Sequence, residues 1–282
     1  AAEIAESIDR LGMEMGFSSG KHTGSLSGKV LVDVLPKALN LARKQARSAG
    51  CKINLHNWSL IWDMYCEDNN GLFPYPTSLG WPRGTWIIAL RNGWDTKSDI
   101  LRCPSAVKRR PDDQVYGGSR YAYIQGSDDT GTSIDPTERS EVCSYGANNW
   151  LYDFPAGRTE IQTRPTAWNW RTKNIKQGYL VPVFADTMWR GGGPYEYGTR
   201  GDPPQTDSQW LGYDYEMMHF CINRHNGFVN HLFLDWSART VGVKELWTLK
   251  WHTQYNTRGP WTKAGGALPQ DWPEWMRGFK DY

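Results

Sequence analysis

The sequence predicts an α+β fold: one long N-terminal helix packed on an antiparallel β-sheet, with long loops and a Trp-rich C-terminal arm. Three observations carry this. Apolar residues recur at helical spacing from Lys29 to about Glu67, two short alternating runs joined by a tight turn lie near residue 230, and Gly, Pro, Asp and Ser fill much of what lies between.

The first segment places Ile4, Ile8, Leu11 and Met15 at spacings of four, three and four, one apolar stripe on a short amphipathic helix. Such a helix is marginal alone in water and needs something to dock on. Residues 18–28, rich in Ser and Gly, read as a flexible linker. Residues 1–28 therefore form a hook on a tether. Two outcomes are open: it grips a neighbouring subunit, or it folds back on its own domain, which runs from 29 to 282.

In the long helix, Leu31, Leu35, Ala38, Ala42, Ala46, Ala49 and Ile53 repeat at three and four. Pro36 is tolerated near a helix start, so the helix begins close to Leu35. Beyond Ile53 both sides turn apolar, with Trp58, Leu60, Ile61, Trp62 and Met64, as in a helix buried all round. Asp68 to Gly71 supply the stop. Thr85 to Asn92 suit a short helix. Tyr179 to Asp186 reads as a strand whose Pro182 suggests an edge or a bulge. Gly191 to Gln209 reads as a long polar insertion, Gly227 to Asp235 and Ala238 to Val243 as a hairpin, and 247–282 as an irregular arm.

Bulk properties exclude several classes. A net charge of +2 gives no electrostatic drive toward nucleic acid. No run approaches the roughly 18 apolar residues of a membrane span. The polar start without an initiator Met reads as a mature or trimmed product, which fits export without requiring it. The 16 Trp and 14 Tyr outnumber the 8 Phe, so most rings carry a polar handle; this suits a Trp-filled core first, and sugar-facing surfaces second.

Five cysteines permit at most two disulfides. Cys51 and Cys66, about 22 Å apart along a continuous helix, cannot bridge. Cys103 and Cys143 lie in turn-rich sequence and are the favoured pair, with free buried thiols as the alternative.

The order of these parts resembles the pseudopilin-like proteins whose C-terminal domain carries a His, nine residues, then Asp-Gly. The carrying passages are Leu35 to Arg47 with Cys51 to Leu55, then Met64 to Pro74, Leu101 to Ser105, Ser144 to Asn148 and Pro182 to Asp186. His225 and Asp235 follow at the motif spacing, with Val241 to Trp247 and Trp272 to Met276 behind them. Two departures stand out. Trp236 occupies the position of the motif glycine, which removes the usual residue for a positive φ. Residues 1–28 stand where the family has its apolar, membrane-anchoring half-helix. The resemblance implies a non-catalytic structural subunit of a secreted or cell-surface homopolymer, with copies of itself as partners and no cofactor.

Two other readings are weighed against it. Exposed Trp between Trp247 and Trp275 would make a carbohydrate-binding module with glycans as partners. His219, Cys221, His225, His231 and Asp235 have residue types that suit a hydrolytic zinc site, but their spacing matches no zinc signature. Structural hydrogen bonding, with His225 and Asp235 joined across the hairpin, is preferred, and no metal is assigned. Asp186 with Asp235 offers only a generic carboxylate pair, and Asp128 with Asp129 lacks an EF-hand pattern. Asn57-Trp-Ser59 is the single glycosylation sequon, set mid-helix where burial opposes modification.

Overall fold

The computed structural model describes residues 14–19, 24–29, 34–75, 84–94, 99–112, 114–125 and 141–282. Two compact units divide the chain, Ala1–Ala46 and Arg47–Tyr282. In the first, β1 (Glu14–Ser19) and β2 (Gly24–Lys29) pair antiparallel, with Glu14 opposite Lys29 and Phe17 opposite Leu26. This corrects the reading of Met15 as helical and, for residues 18–19 and 24–28, the reading as flexible linker. Met15, Phe17 and Leu26 alternate with Gly and Ser, a period of two that the helical stripe had overridden. Ile4, Ile8 and Leu11 lie outside the described residues.

Helix α1 (Val34–Asp68) carries Pro36 in its first turn, where the missing N–H has no helical partner to lose. Its end is set by Asn70 (φ 56°) and Gly71 (φ 78°), both left-handed, with the Gly71 N–H donating 2.6 Å to the Cys66 carbonyl. From Cys51 onward the helix is one-sided. Cys51, Leu55, Trp58, Trp62 and Cys66 are buried at spacings of four and three, whereas Ile53, Leu60 and Met64 are 63%, 55% and 64% exposed. The expected burial all round is thus corrected. The large Trp side chains fill the inner face and leave the outer one apolar but uncovered.

Two short helices follow, α2 (Thr85–Ala89) and α3 (Arg91–Trp94), then the paired strands β3 (Tyr123–Gln125) and β4 (Glu141–Cys143). The main sheet uses β5 (Tyr145–Asn148). A small hairpin, β6 (Glu160–Ile161) with β7 (Arg164–Pro165), precedes β8 (Pro182–Asp186). The sheet is completed by β9 (Gly191–Gly192), β10 (Phe228–Phe233) and β11 (Ala238–Gly242), in the order β11-β10-β8-β5-β9. All pairs are antiparallel except β5 with β9. The fold is therefore mixed α+β with one long N-terminal helix.

The hairpin of β10 and β11 forms as expected, but β8 is central rather than an edge. Pro182 sits at its first residue, beside a register shift at Leu232/Phe233, so no interior ladder bond is lost. The Gly191-Gly192 pair, at the start of the expected polar insertion, is a strand, because only glycine permits its approach to β5. A Cβ on Gly191 would stand 2.2 Å from the Ala147 carbonyl oxygen, and one on Gly146 2.5 Å from that of Trp189.

The sheet is buried on both faces. Phe184, Tyr145, Ala147 and Leu232 pack with Trp58, Trp62 and Trp86. Val229, Phe233 and Val241 pack with Phe220, Trp247, Trp251, Trp272 and Met276. The indoles also serve irregular backbone. Trp58 donates to Ile100, Trp86 to Arg190, Trp247 to Gly201 and Trp251 to Leu246, each a carbonyl contact of 2.7–2.9 Å. A loop-rich interior leaves carbonyls without ladder partners, and indole N–H groups fill that need where Phe could not. No described Trp is fully exposed, and in the arm Trp261 and Trp275 are half-buried while Trp247, Trp251 and Trp272 are buried.

His252 stands in an aromatic box, stacked on Trp168 at 4.7 Å and beside Trp150 and Tyr195. It is 1% exposed. Burial, and then the nearby Lys250, hold its pKa down at about 3 against an ordinary 6.5. Its folded pKa lies below the unfolded one, so its neutral form supports the fold fully above pH 6.5. That contribution is lost as pH falls toward 3, by up to about 1.4 kcal/mol per pH unit. His252→Phe should flatten this part of the acid-stability curve in urea titrations from pH 7 to 4; an unchanged slope would contradict the assignment.

Candidate functional site

Asp186, the last residue of β8, lies opposite Tyr145 in the sheet and collects partners from four directions. Arg224 Nη1 donates 3.1 Å to Oδ1, the Asn230 N–H donates 2.9 Å to Oδ2, and His225 Nε2 lies 3.0 Å from Oδ2. Cys51, from the inner face of α1, brings its Sγ to 3.4 Å from Oδ2. Cys103 Sγ, from the turn after residue 101, lies 3.4 Å from His225 Nε2. One donor atom each from Cys51, Cys103, Asp186 and His225 falls within 4.8 Å of all the others, and all four residues are buried.

The surroundings fix this cluster. Arg224 is fully buried, and its Nη2 donates 2.7 Å to both the Gly118 and Thr187 carbonyls, while Nη1 also reaches the Ser144 carbonyl. The Tyr145 hydroxyl donates to Cys51 Sγ at 3.3 Å, and the Ser144 hydroxyl accepts from the Cys103 N–H at 2.5 Å. Burial opposes charge on Asp186, yet His225, Arg224 and the Asn230 N–H outweigh it and hold the carboxyl well below its ordinary range. Burial lowers the His225 pKa, but the Asp186 charge and bond carry it up to about 9. Burial drives the Cys51 thiol well up, aided by its contacts with Cys103 and Asp186. On Cys103 burial acts upward too, but hydrogen bonds from Cys51 and His225 and the charge of Arg224 bring it down to about 7.

A thiol, an imidazole and a carboxylate in contact suggest nucleophilic catalysis, but the geometry is wrong for it. A catalytic relay has the two ring nitrogens facing opposite ways, one to the nucleophile and one to the acid. Here Nε2 alone faces both Cys103 and Asp186. The group is also closed to substrate, since Cys51, Cys103 and Asp186 are fully buried and His225 is 9% exposed. What the arrangement offers is four donor atoms within 4.8 Å of one another.

The residues singled out by spacing are mostly elsewhere. Asp235 is exposed at the hairpin turn, its Oδ1 accepting from the Ser237 N–H and hydroxyl, so the expected bond to His225 is replaced by that to Asp186. Trp236 does adopt a positive φ of 64°, without glycine. Its indole N–H donates 2.9 Å to Asp63 on α1, a tie that opposes the ~1 kcal/mol cost of the left-handed conformation. His219 bonds the Gly191 carbonyl through Nδ1 and stacks on Trp210. Cys221 faces Met276, and His231 is buried among Phe220, Phe233 and Trp251. Rather than joining Cys143 in a disulfide, Cys103 turns to His225, and no two of the five buried cysteines are bonded to each other. Asn57 is half-buried in α1, and Ser59 is buried with its hydroxyl donating to the His56 carbonyl.

Comparisons with protein-family models, with curated proteins and with solved structures found no match. Among the described residues, no helix is long and apolar enough to cross a membrane.

Proposed function

We propose that this chain is a non-catalytic structural subunit of an extracellular or cell-surface homopolymer, built on the pseudopilin plan that its ordered blocks resemble. The observation that carries the reading is the outward face of α1. Ile53, Leu60 and Met64, spaced by seven and four, form one apolar stripe that is more than half exposed. Singly exposed apolar residues are ordinary, but an aligned stripe on a rigid helix is an association surface. Heptad spacing suits knobs-into-holes packing against a like helix, and a second copy of α1 supplies one.

The reading is tested by sedimentation velocity at rising concentration, on the wild-type chain and on Ile53→Asp with Leu60→Asp. Both side chains are exposed in the monomer, so the variant should keep its circular dichroism and its melting temperature within a few degrees. The wild type should form larger species as concentration rises, and the variant should stay monomeric. Equal behaviour of the two would overturn the role given to this face.

A further inference from the structure

The geometry points to a metal site that neither the motif nor the assembly reading supplies: we propose that Cys51, Cys103, Asp186 and His225 hold one zinc ion as a closed, structural four-ligand centre.

Distances come first. A tetrahedral zinc ion with bonds of about 2.3 Å to sulfur and about 2.0–2.2 Å to nitrogen and oxygen sets its ligand atoms roughly 3.3–3.8 Å apart. The contacts here are 3.0 Å between His225 Nε2 and Asp186 Oδ2, 3.4 Å between Cys103 Sγ and Nε2, and 3.4 Å between Cys51 Sγ and Oδ2. These three contacts fall near that range, and all four donor atoms lie within 4.8 Å of one another, a spread that small side-chain shifts bring to tetrahedral spacing. The single imidazole nitrogen shared by thiol and carboxylate, which defeats a catalytic relay, is what a metal ligand requires.

Donor chemistry and charge agree. Two thiolates with an imidazole and one carboxylate favour zinc over the hard cations, which take oxygen ligands. Two thiolates and a carboxylate bring three negative charges into a fully buried space. A dication together with the Arg224 guanidinium, 3.1 Å from Asp186, matches them. The surrounding bonds then act as outer support: Arg224 and the Asn230 N–H orient the carboxylate, and the Tyr145 hydroxyl orients the Cys51 thiolate. With four protein ligands and no exposed side, the centre is structural. It clasps α1 to β8, to the turn carrying Cys103 and to the loop entering β10.

The test is zinc stoichiometry by elemental analysis and native mass spectrometry, on protein purified from zinc-supplemented medium without chelator. One zinc per chain is expected, with more than a tenfold loss in Cys51→Ser and in Cys103→Ser. Cys66→Ala, about 22 Å along α1 from Cys51, should retain it. Because the cysteine variants could fail to fold, the wild type is also loaded with cobalt(II) in place of zinc. Thiolate-to-cobalt charge-transfer absorption together with tetrahedral visible bands would support the site. Absence of both stoichiometric zinc and these cobalt bands would overturn it. So would a Cys51–Cys103 disulfide, seen as a 2 Da mass loss reversed by reduction.

Discussion

Arg224→Met is expected to destabilise the fold by about 3–5 kcal/mol, the usual consequence of stripping one partner from a buried ion pair. The guanidinium serves the Asp186 carboxylate and the Ser144, Gly118 and Thr187 carbonyls at once, with no exposure of its own. Methionine fills much of the volume but strips the carboxylate of one of its two cationic partners, leaving it His225 and the Asn230 N–H, and leaves three carbonyls without this donor. Lysine should rescue little, because a single ammonium cannot span acceptors that the planar fork reaches together. Urea unfolding of the two variants checks this. A loss below about 1 kcal/mol in Arg224→Met would mean that the network does not hold the site together.

Trp58→Ala should cost a similar amount, about 3–5 kcal/mol. This side chain is fully buried on the inner face of α1, edge-on to Trp86 at 5.3 Å and 4.8 Å from the Phe184 ring on β8. Its indole N–H also donates 2.9 Å to the Ile100 carbonyl. Trp58→Phe separates the two contributions. It keeps most of the ring contact and loses the hydrogen bond, so a smaller cost of about 1–3 kcal/mol is expected. Equal losses in the two variants would place the stabilisation in the hydrogen bond and not in the helix-on-sheet packing.

Much of the frame was legible in the sequence. The helical repeat from Leu35 to Ile53, the stop at Asp68 to Gly71 and the hairpin around residue 235 follow from periodicity and turn chemistry, and α1, β10 and β11 lie where these signals put them, but Ala42, Ala46, Ala49 and Ile53 of that repeat are exposed and the buried face runs through Cys51 and Leu55 instead. Sidedness was not legible, least of all beyond Ile53. Trp58, Leu60, Ile61, Trp62 and Met64 are all apolar, and only packing against Phe184 and Phe73 decides which of them turn inward. The Gly191-Gly192 strand also escaped notice, since its signal is a backbone approach and not a side-chain pattern.

The site was half legible. The motif drew attention to His225, but the spacing that defines it names the wrong partner. The six residues of β10 lie between His225 and Asp235, and at about 3.4 Å each they carry the two to opposite ends of the strand. Cys51, Cys103 and Asp186 come from a helix, a turn and another strand, so no local spacing links them. Their common signal was weaker: Cys51, Cys103 and Asp186 all fall inside ordered family-like blocks, yet none of the three was needed there to explain a helix, a turn or a strand.

The most direct test of the structural reading is negative-stain electron microscopy of the purified chain over rising concentration. Regular filaments or tubes, lost in the Ile53→Asp, Leu60→Asp variant, are the predicted result. Dispersed single particles at every concentration would contradict it.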